Sequence, residues 1–223
     1  MSDYKVKILE ITNVTHDVRI LKLEKPKGFS FTPGQAADVA INKPDYVEQK
    51  RPFTFTGLND WDYLEFIIKI YNDHNGVTKE IGNLKAGDEL IISDPWGSIQ
   101  YKGEGIFIAG GAGVTPFIAI IRNLNSENKI GNNKLIFGNK MESDIILKDE
   151  FEKMLNKNFR NILSDEKVEG YANGFITEEF LKSFVDDFNK TFYICGPPSM
   201  MEALEKQLAN LKVDASAIVK EEF

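Results

Sequence analysis

The chain has 223 residues, 42% of them hydrophobic and 27% charged, the balance of an ordinary globular protein with room for one large domain or two small ones. A net charge of −7 argues against nucleic acid as a general partner, which would need a basic face. One cysteine, Cys195, excludes an internal disulfide framework and a four-cysteine iron–sulfur cluster, and His16 and His74 lie too far apart to suggest a zinc site, so no metal is expected.

The amino-terminal MSDYKVKILEITN carries charges throughout and no apolar h-region, so no signal peptide is expected. No apolar run approaches bilayer-spanning length, and the expected location is the cytoplasm. The first half reads as strands. Residues 4–11 (YKVKILEI) and 18–24 (VRILKLE) alternate apolar and polar positions, as half-buried antiparallel strands do. Pro33-Gly34 is a turn before a short strand at 37–41, and 42–50 is a polar loop. Strands resume at 52–57 and 63–71, the latter (YLEFIIKIY) the clearest of this half. Residues 76–84 put Val77, Ile81 and Leu84 on one helical face, and a turn at 85–88 leads to a strand at 89–93.

From residue 103 strand-like runs alternate with helix-like ones: 106–109 then 116–124, 134–137 then 148–155, 160–164 then 177–188, and 192–195 then 199–211, with a last short strand at 218–220. Thr177 followed by Glu178 and Glu179 marks a helix start, and Ser199 with Glu202 reads as a capping box. Such alternation predicts a parallel sheet with helices on both faces. The chain therefore divides near residue 100, into an antiparallel β domain over 1–100 and an α/β domain over 101–223, with no low-complexity linker between them.

The second domain opens on IFIAGGAGVTP, residues 106–116. A buried strand runs into Gly110, Gly111 and Gly113, which permit a tight turn and a close approach. Thr115 can cap a helix and Pro116 is pre-set for its first turn. A strand, a glycine turn and a helix amino terminus together suit a phosphate group. A tight strand-to-helix turn without a ligand would use the same residues.

Four further pieces accompany this turn: RPFT at 51–54, NGVT at 75–78, CGPPSM at 195–200 and a terminal Glu-x-aromatic at 221–223. In that order and spacing the whole chain resembles the ferredoxin–NADP reductase-type FAD-binding oxidoreductases, the flavodoxin/ferredoxin reductase-like modules. The resemblance implies an N-terminal antiparallel Greek-key β-barrel holding FAD, and a C-terminal Rossmann-like parallel sheet holding NAD(P). It further implies that Arg51 grips the FAD pyrophosphate, for which a guanidinium fork is well shaped. Phe53 would pack on the flavin ring, Pro52 would lie beside it, and Thr54 would set its hydroxyl near the flavin nitrogen that receives hydride. Phe53 stands where the family more often has Tyr. Ile68, Lys69 and Ile70 would line the flavin edge, although a strand lysine can equally be solvated. Asn75, Gly76, Val77 and Thr78 would form a second phosphate-binding turn, or an ordinary helix start.

Gly110, Gly111, Gly113, Thr115 and Pro116 would hold the nicotinamide dinucleotide, with Cys195, Gly196, Pro197 and Met200 as the facing wall. Cys195 would orient the nicotinamide without covalent chemistry; a strand-end cysteine can also be apolar filler. Glu221 would relay a proton or be a solvated tail charge, and Phe223 would cover the flavin or dock in the core. Where NADP-preferring relatives carry Ser-Arg, this chain has Ser164-Asp165-Glu166. A carboxylate there opposes a 2′-phosphate, so NADH is favoured over NADPH, with Lys140 and Lys167 as partial offsets. The implied reaction passes hydride from NAD(P)H to flavin across a cleft between the domains, then single electrons to a separate carrier such as ferredoxin or flavodoxin. The alternatives are a non-catalytic or regulatory subunit of a larger electron-transfer assembly, and an NAD-binding sensor without flavin.

Overall fold

A computed structural model describes residues 2–73, 76–97 and 99–221. The chain forms two compact units, one of Met1–Gln100 with Thr115–Asn123, the other of Tyr101–Val114 with Leu124–Phe223.

In the first unit, strands β1 (Asp3–Asn13), β2 (Val18–Glu24), β3 (Ala36–Ile41), β4 (Arg51–Thr54), β5 (Tyr63–Lys69) and β6 (Glu89–Ser93) form an antiparallel sheet in the order β4-β3-β6-β1-β2-β5. Its two ends approach each other: Phe55 bridges Phe66, and the Thr56 N–H donates to the Glu65 carbonyl at 2.9 Å. The barrel is thereby nearly closed, which leaves little open edge. Strand β1 shows how the sequence sets the inward face. Val6 and Ile8 are buried between exposed neighbours. A bulge between Ile8 and Glu10 then shifts the inward set by one residue, so Ile11 and not Glu10 packs on the core. Inside, Phe31 stacks on Phe55 at 4.5 Å and Phe55 meets Phe66 at 4.9 Å. Helix α1 (Val77–Ile81) buries Val77 and Ile81. It stops short of residue 84 because Gly82 caps it, donating its N–H to the Thr78 carbonyl at 3.1 Å.

In the second unit, β7 (Gly105–Gly110), β8 (Lys134–Asn139), β9 (Phe159–Leu163), β10 (Ala172–Asn173), β11 (Thr191–Cys195) and β12 (Ile218–Val219) form a parallel sheet in the order β10-β9-β8-β7-β11-β12. Every residue of β7 is buried, as expected of a parallel strand covered on both faces. The chain enters at β7, moves outward to β10, and returns to β11 on the other side of β7. The direction of winding thus reverses between β7 and β11. Helices α2 (Thr115–Ser126), α3 (Lys148–Leu155), α4 (Glu178–Phe184) and α5 (Pro198–Asn210) make the connections. Thr177 caps α4, its hydroxyl accepting the Phe180 N–H at 3.2 Å.

Two helix starts differ from expectation. The capping box at Ser199 does not form, because Pro198 begins α5 one residue earlier and Ser199 is already helical. Thr115 is the first residue of α2 and not its cap, because a 3-10 turn over Gly111–Val114 leads into the helix. The two-residue β10 was not foreseen; it is too short to show a period.

Candidate functional site

Ligands of open α/β sheets sit beyond the carboxyl ends of the strands where the winding reverses. In the second unit that place is the end of β7 and β11, where the Gly110 turn and the Cys195 turn lie against each other. A Cβ built on Gly113 would strike the Cys195 carbonyl and lie 2.8 Å from Gly196 Cα. One on Gly110 would strike the Met200 sulfur and lie 3.0 Å from Pro197 Cδ. Gly196 would meet that sulfur less closely, at 3.0 Å from its would-be Cβ. Gly113, which faces backbone, is therefore demanded by the packing of one turn on the other, and Gly110 and Gly196 fit closely into it. Gly111 is different: its φ is +51° and nothing lies within 4 Å of where a side chain would go. It gives the turn a left-handed residue with open space above it.

Burial pushes the Cys195 thiol up to about 12, with the nearby Glu221 carboxylate adding to the effect. The thiol is thus neutral at physiological pH, which suits an orienting contact and not a nucleophile. Burial also pushes the Glu221 carboxyl up, and its Oε1 is buried without a hydrogen-bond partner among the described residues. Phe223 lies outside the described residues, as does Asn75.

At the end of β9, Ser164 donates its N–H to the Asn139 carbonyl at 3.0 Å and its hydroxyl to Asp165 at 2.6 Å. The Asp165 N–H donates to the Lys140 carbonyl at 3.0 Å, leaving the side chain exposed. Glu166 is turned away: its carboxylate accepts the Glu142 N–H at 2.8 Å. Glu142 in turn accepts from Lys148 at 2.7 Å and from the Tyr171 hydroxyl at 3.0 Å. Two residues here escaped the sequence reading. Asn139, at the end of β8, is buried with both side-chain amide atoms unpartnered among the described residues. Phe175, just past β10, is 80% exposed, an aromatic face offered at the sheet end. A polar residue closing the apolar run KLIFG was a readable signal for the first; a lone aromatic gives none for the second.

In the first unit, β4 carries Arg51 exposed, with Nη1 donating to the Lys50 carbonyl at 2.8 Å. Pro52 lies opposite Asp38, and Thr54, buried, lies opposite Ala36. Phe53 is half-buried, its ring 6.5 Å from that of Phe66. Ile68 and Ile70 belong to the barrel core, so only their backbone can face a ligand. Lys69 is ion-paired with Asp17 at 3.0 Å. Burial works against the Asp17 charge, but Lys69, Thr15 and His16 together hold its carboxyl below the usual range. Gly76 precedes α1 in extended conformation, with Val77 buried and Thr78 in the first turn. Thr115 and Pro116 open α2. The same unit holds a buried cluster that the sequence reading missed. Arg122 of α2 donates to Glu65 of β5 at 2.6 Å and to the Thr56 carbonyl at 2.9 Å.

Comparison with known proteins places these features in a family. Residues 5–101 match the model of the oxidoreductase FAD-binding domain, and residues 107–206 that of the oxidoreductase NAD-binding domain. NADH-cytochrome b5 reductase 1 of Aspergillus terreus is 32% identical over 226 residues, covering 91% of this chain and 75% of its own. The chain belongs to the ferredoxin–NADP reductase-type oxidoreductases. The reductase component of propane 2-monooxygenase from Mycolicibacterium smegmatis is 28% identical, and this chain spans 66% of its length. The fold is shared with a ferredoxin NADP+ reductase from Neisseria gonorrhoeae solved with bound FAD and NADP, at a TM-score of 0.87 and 16% identity over 99% of this chain and 98% of that one.

As in other ferredoxin–NADP reductase-type chains, an antiparallel FAD-binding barrel precedes a parallel NAD-binding sheet. The residues present fit both groups: an exposed guanidinium at Arg51 suits a diphosphate, and the open left-handed Gly111 leaves room for a dinucleotide. Among the described residues no group of His, Cys, Asp and Glu could hold a metal ion, and no helix is long and apolar enough to cross a membrane.

Proposed function

We propose that this chain is an FAD-dependent NAD(P)H oxidoreductase, with residues 1–100 as flavin domain and 101–223 as nicotinamide domain. It takes hydride from the nicotinamide and hands electrons singly to a separate carrier protein. The observation that carries this reading is the pair of apposed turns at Gly110 and Cys195, set at the winding reversal of an NAD-binding sheet. FAD, when bound, supplies the conversion of a hydride into single electrons.

The chain's own residues have separate tasks in this proposal. Arg51 holds the FAD pyrophosphate by charge-assisted hydrogen bonds, and the backbone at Gly76 and Val77 with the Thr78 hydroxyl serves the same group. Phe53 and the backbone of Ile68–Ile70 flank the ring, and the Thr54 hydroxyl lies at the reacting edge. The Gly111 turn and the start of α2 take the dinucleotide pyrophosphate. Cys195, with a protonated thiol, orients the nicotinamide, and the buried Glu221 carboxyl serves as a proton relay beside it. Asp165, exposed at the end of β9, is placed to accept from a ribose 2′-hydroxyl and to repel a 2′-phosphate, which supports NADH over NADPH. Phe175 offers a stacking face for the adenine.

The carrier is a ferredoxin or flavodoxin, or a haem protein or oxygenase component of the kind the relatives' names mention. A cytoplasmic setting fits a chain with one cysteine. The test is direct. Purified protein should take up one FAD, and anaerobic NADH should bleach its visible band within seconds. A protein that takes up no FAD overturns the reading, and one that keeps FAD oxidised under NADH and NADPH favours the non-catalytic subunit.

A further inference from the structure

The Arg122–Glu65 cluster serves no group named so far. Glu65 stands in the apolar strand YLEFIIK with its side chain 4% exposed, and Arg122 stands in an apolar helix at 11%. The Arg122 guanidinium donates to Glu65 Oε1 at 2.6 Å and to the Thr56 carbonyl at 2.9 Å, and lies 5.3 Å over the Trp61 ring. The Thr56 hydroxyl donates to the same Glu65 oxygen at 2.8 Å. Both ends lie in one compact unit, since Thr115–Asn123 packs with the barrel. A buried ion pair is poor evidence of stabilisation, because apolar residues of similar volume often do as well; its best use is to fix one arrangement among several. What it fixes here is specific. Thr56 follows the RPFT segment on the same run of chain, and Arg122 sits on the helix that begins at Thr115-Pro116.

We propose that Arg122 and Glu65 are positioning residues for flavin reduction. They seat α2, and with it the start of the helix that receives the dinucleotide, on the strand run leaving the flavin motif. This rests on the functional reading above. The functional reading gives the pair no cofactor to hold, so its assigned role is placement, and small misplacements of reacting groups slow a reaction steeply.

Two variants test this: Arg122→Lys, which keeps the charge but loses the planar fork, and Arg122→Met combined with Glu65→Gln, which removes both charges together. Each is measured for melting temperature, FAD content, NAD+ dissociation constant by calorimetry, and the rate of flavin reduction by NADH in anaerobic stopped flow. The double variant is expected to hold FAD and bind NAD+ within about twofold of the parent while reducing flavin about tenfold or more slowly, with Arg122→Lys between them. Flavin reduction at the parent rate in an FAD-replete variant overturns the proposal, whatever happens to the melting temperature. Loss of the fold or of FAD in both variants also overturns it, since the pair would then be a scaffold element. A parent protein that binds no FAD overturns the functional reading instead, which separates the two failures.

Discussion

At the scale of single residues, chemistry follows from how each side chain is buried. Desolvation pushes the Glu221 carboxyl up, so its folded pKa lies above the unfolded value of 4.5. A group raised in this way favours the fold fully below its unfolded pKa, and that contribution is lost as pH rises through the folded value. Glu221→Gln mimics the protonated form. Its melting temperature should match the parent near pH 4 and exceed it increasingly towards pH 8; a deficit at every pH would contradict the assignment. Asp165 acts by exposure, in contrast. Asp165→Ser should raise the NADPH-to-NADH ratio of kcat/KM by about tenfold, and an unchanged ratio would move specificity elsewhere.

What the residues made legible is position. Ser164-Asp165 follow the third parallel strand as the sequence indicates, and Arg51, singled out by the resemblance, is exposed on β4. Glu65 and Arg122 were less legible, though each is a lone charge inside an apolar run. A sequence shows that such a charge needs a partner but not which one, because the partners are 57 residues apart.

At the scale of elements, the glycine turn separates two uses of one residue type. Gly111→Ala meets only the strain of a left-handed backbone and should lose about 1 kcal/mol in urea denaturation. Gly113→Ala drives a methyl group into the backbone at Cys195, where nothing can rotate aside, and should lose about 3 kcal/mol or fail to fold. Equal losses would mean that the two turns are not held together as described. The sequence reading understood the glycines as room for a ligand. Gly111 leaves open space where a side chain would go, whereas Gly110 and Gly113 make room for the neighbouring turn. Local signals placed the strands and helices because period and caps are local properties. They failed at Ser199, where the fixed backbone of Pro198 outranked a capping box.

At the scale of the whole molecule, the change from alternating strands to strand–helix units disclosed both folds and their order. It could not disclose that residues 115–123 pack with the barrel. An apolar helix stripe states that it must be covered, not by what. The summed charge of −7 makes its own prediction about electron delivery. A basic carrier should be reduced faster at low ionic strength and an acidic one faster at high, as read by carrier absorbance across a salt series. No salt dependence with either would show that local patches cancel the total charge.

The protonated thiol at Cys195 has a practical consequence as well. A chain whose one cysteine is only partly exposed, with its thiol pushed up by burial, should react sluggishly with maleimides and with air. A cysteine placed on the surface would then accept a fluorophore or spin label almost alone. The natural sequence is thus a ready background for site-specific probes, through which the working motions of the protein can be followed without first removing a residue from its centre.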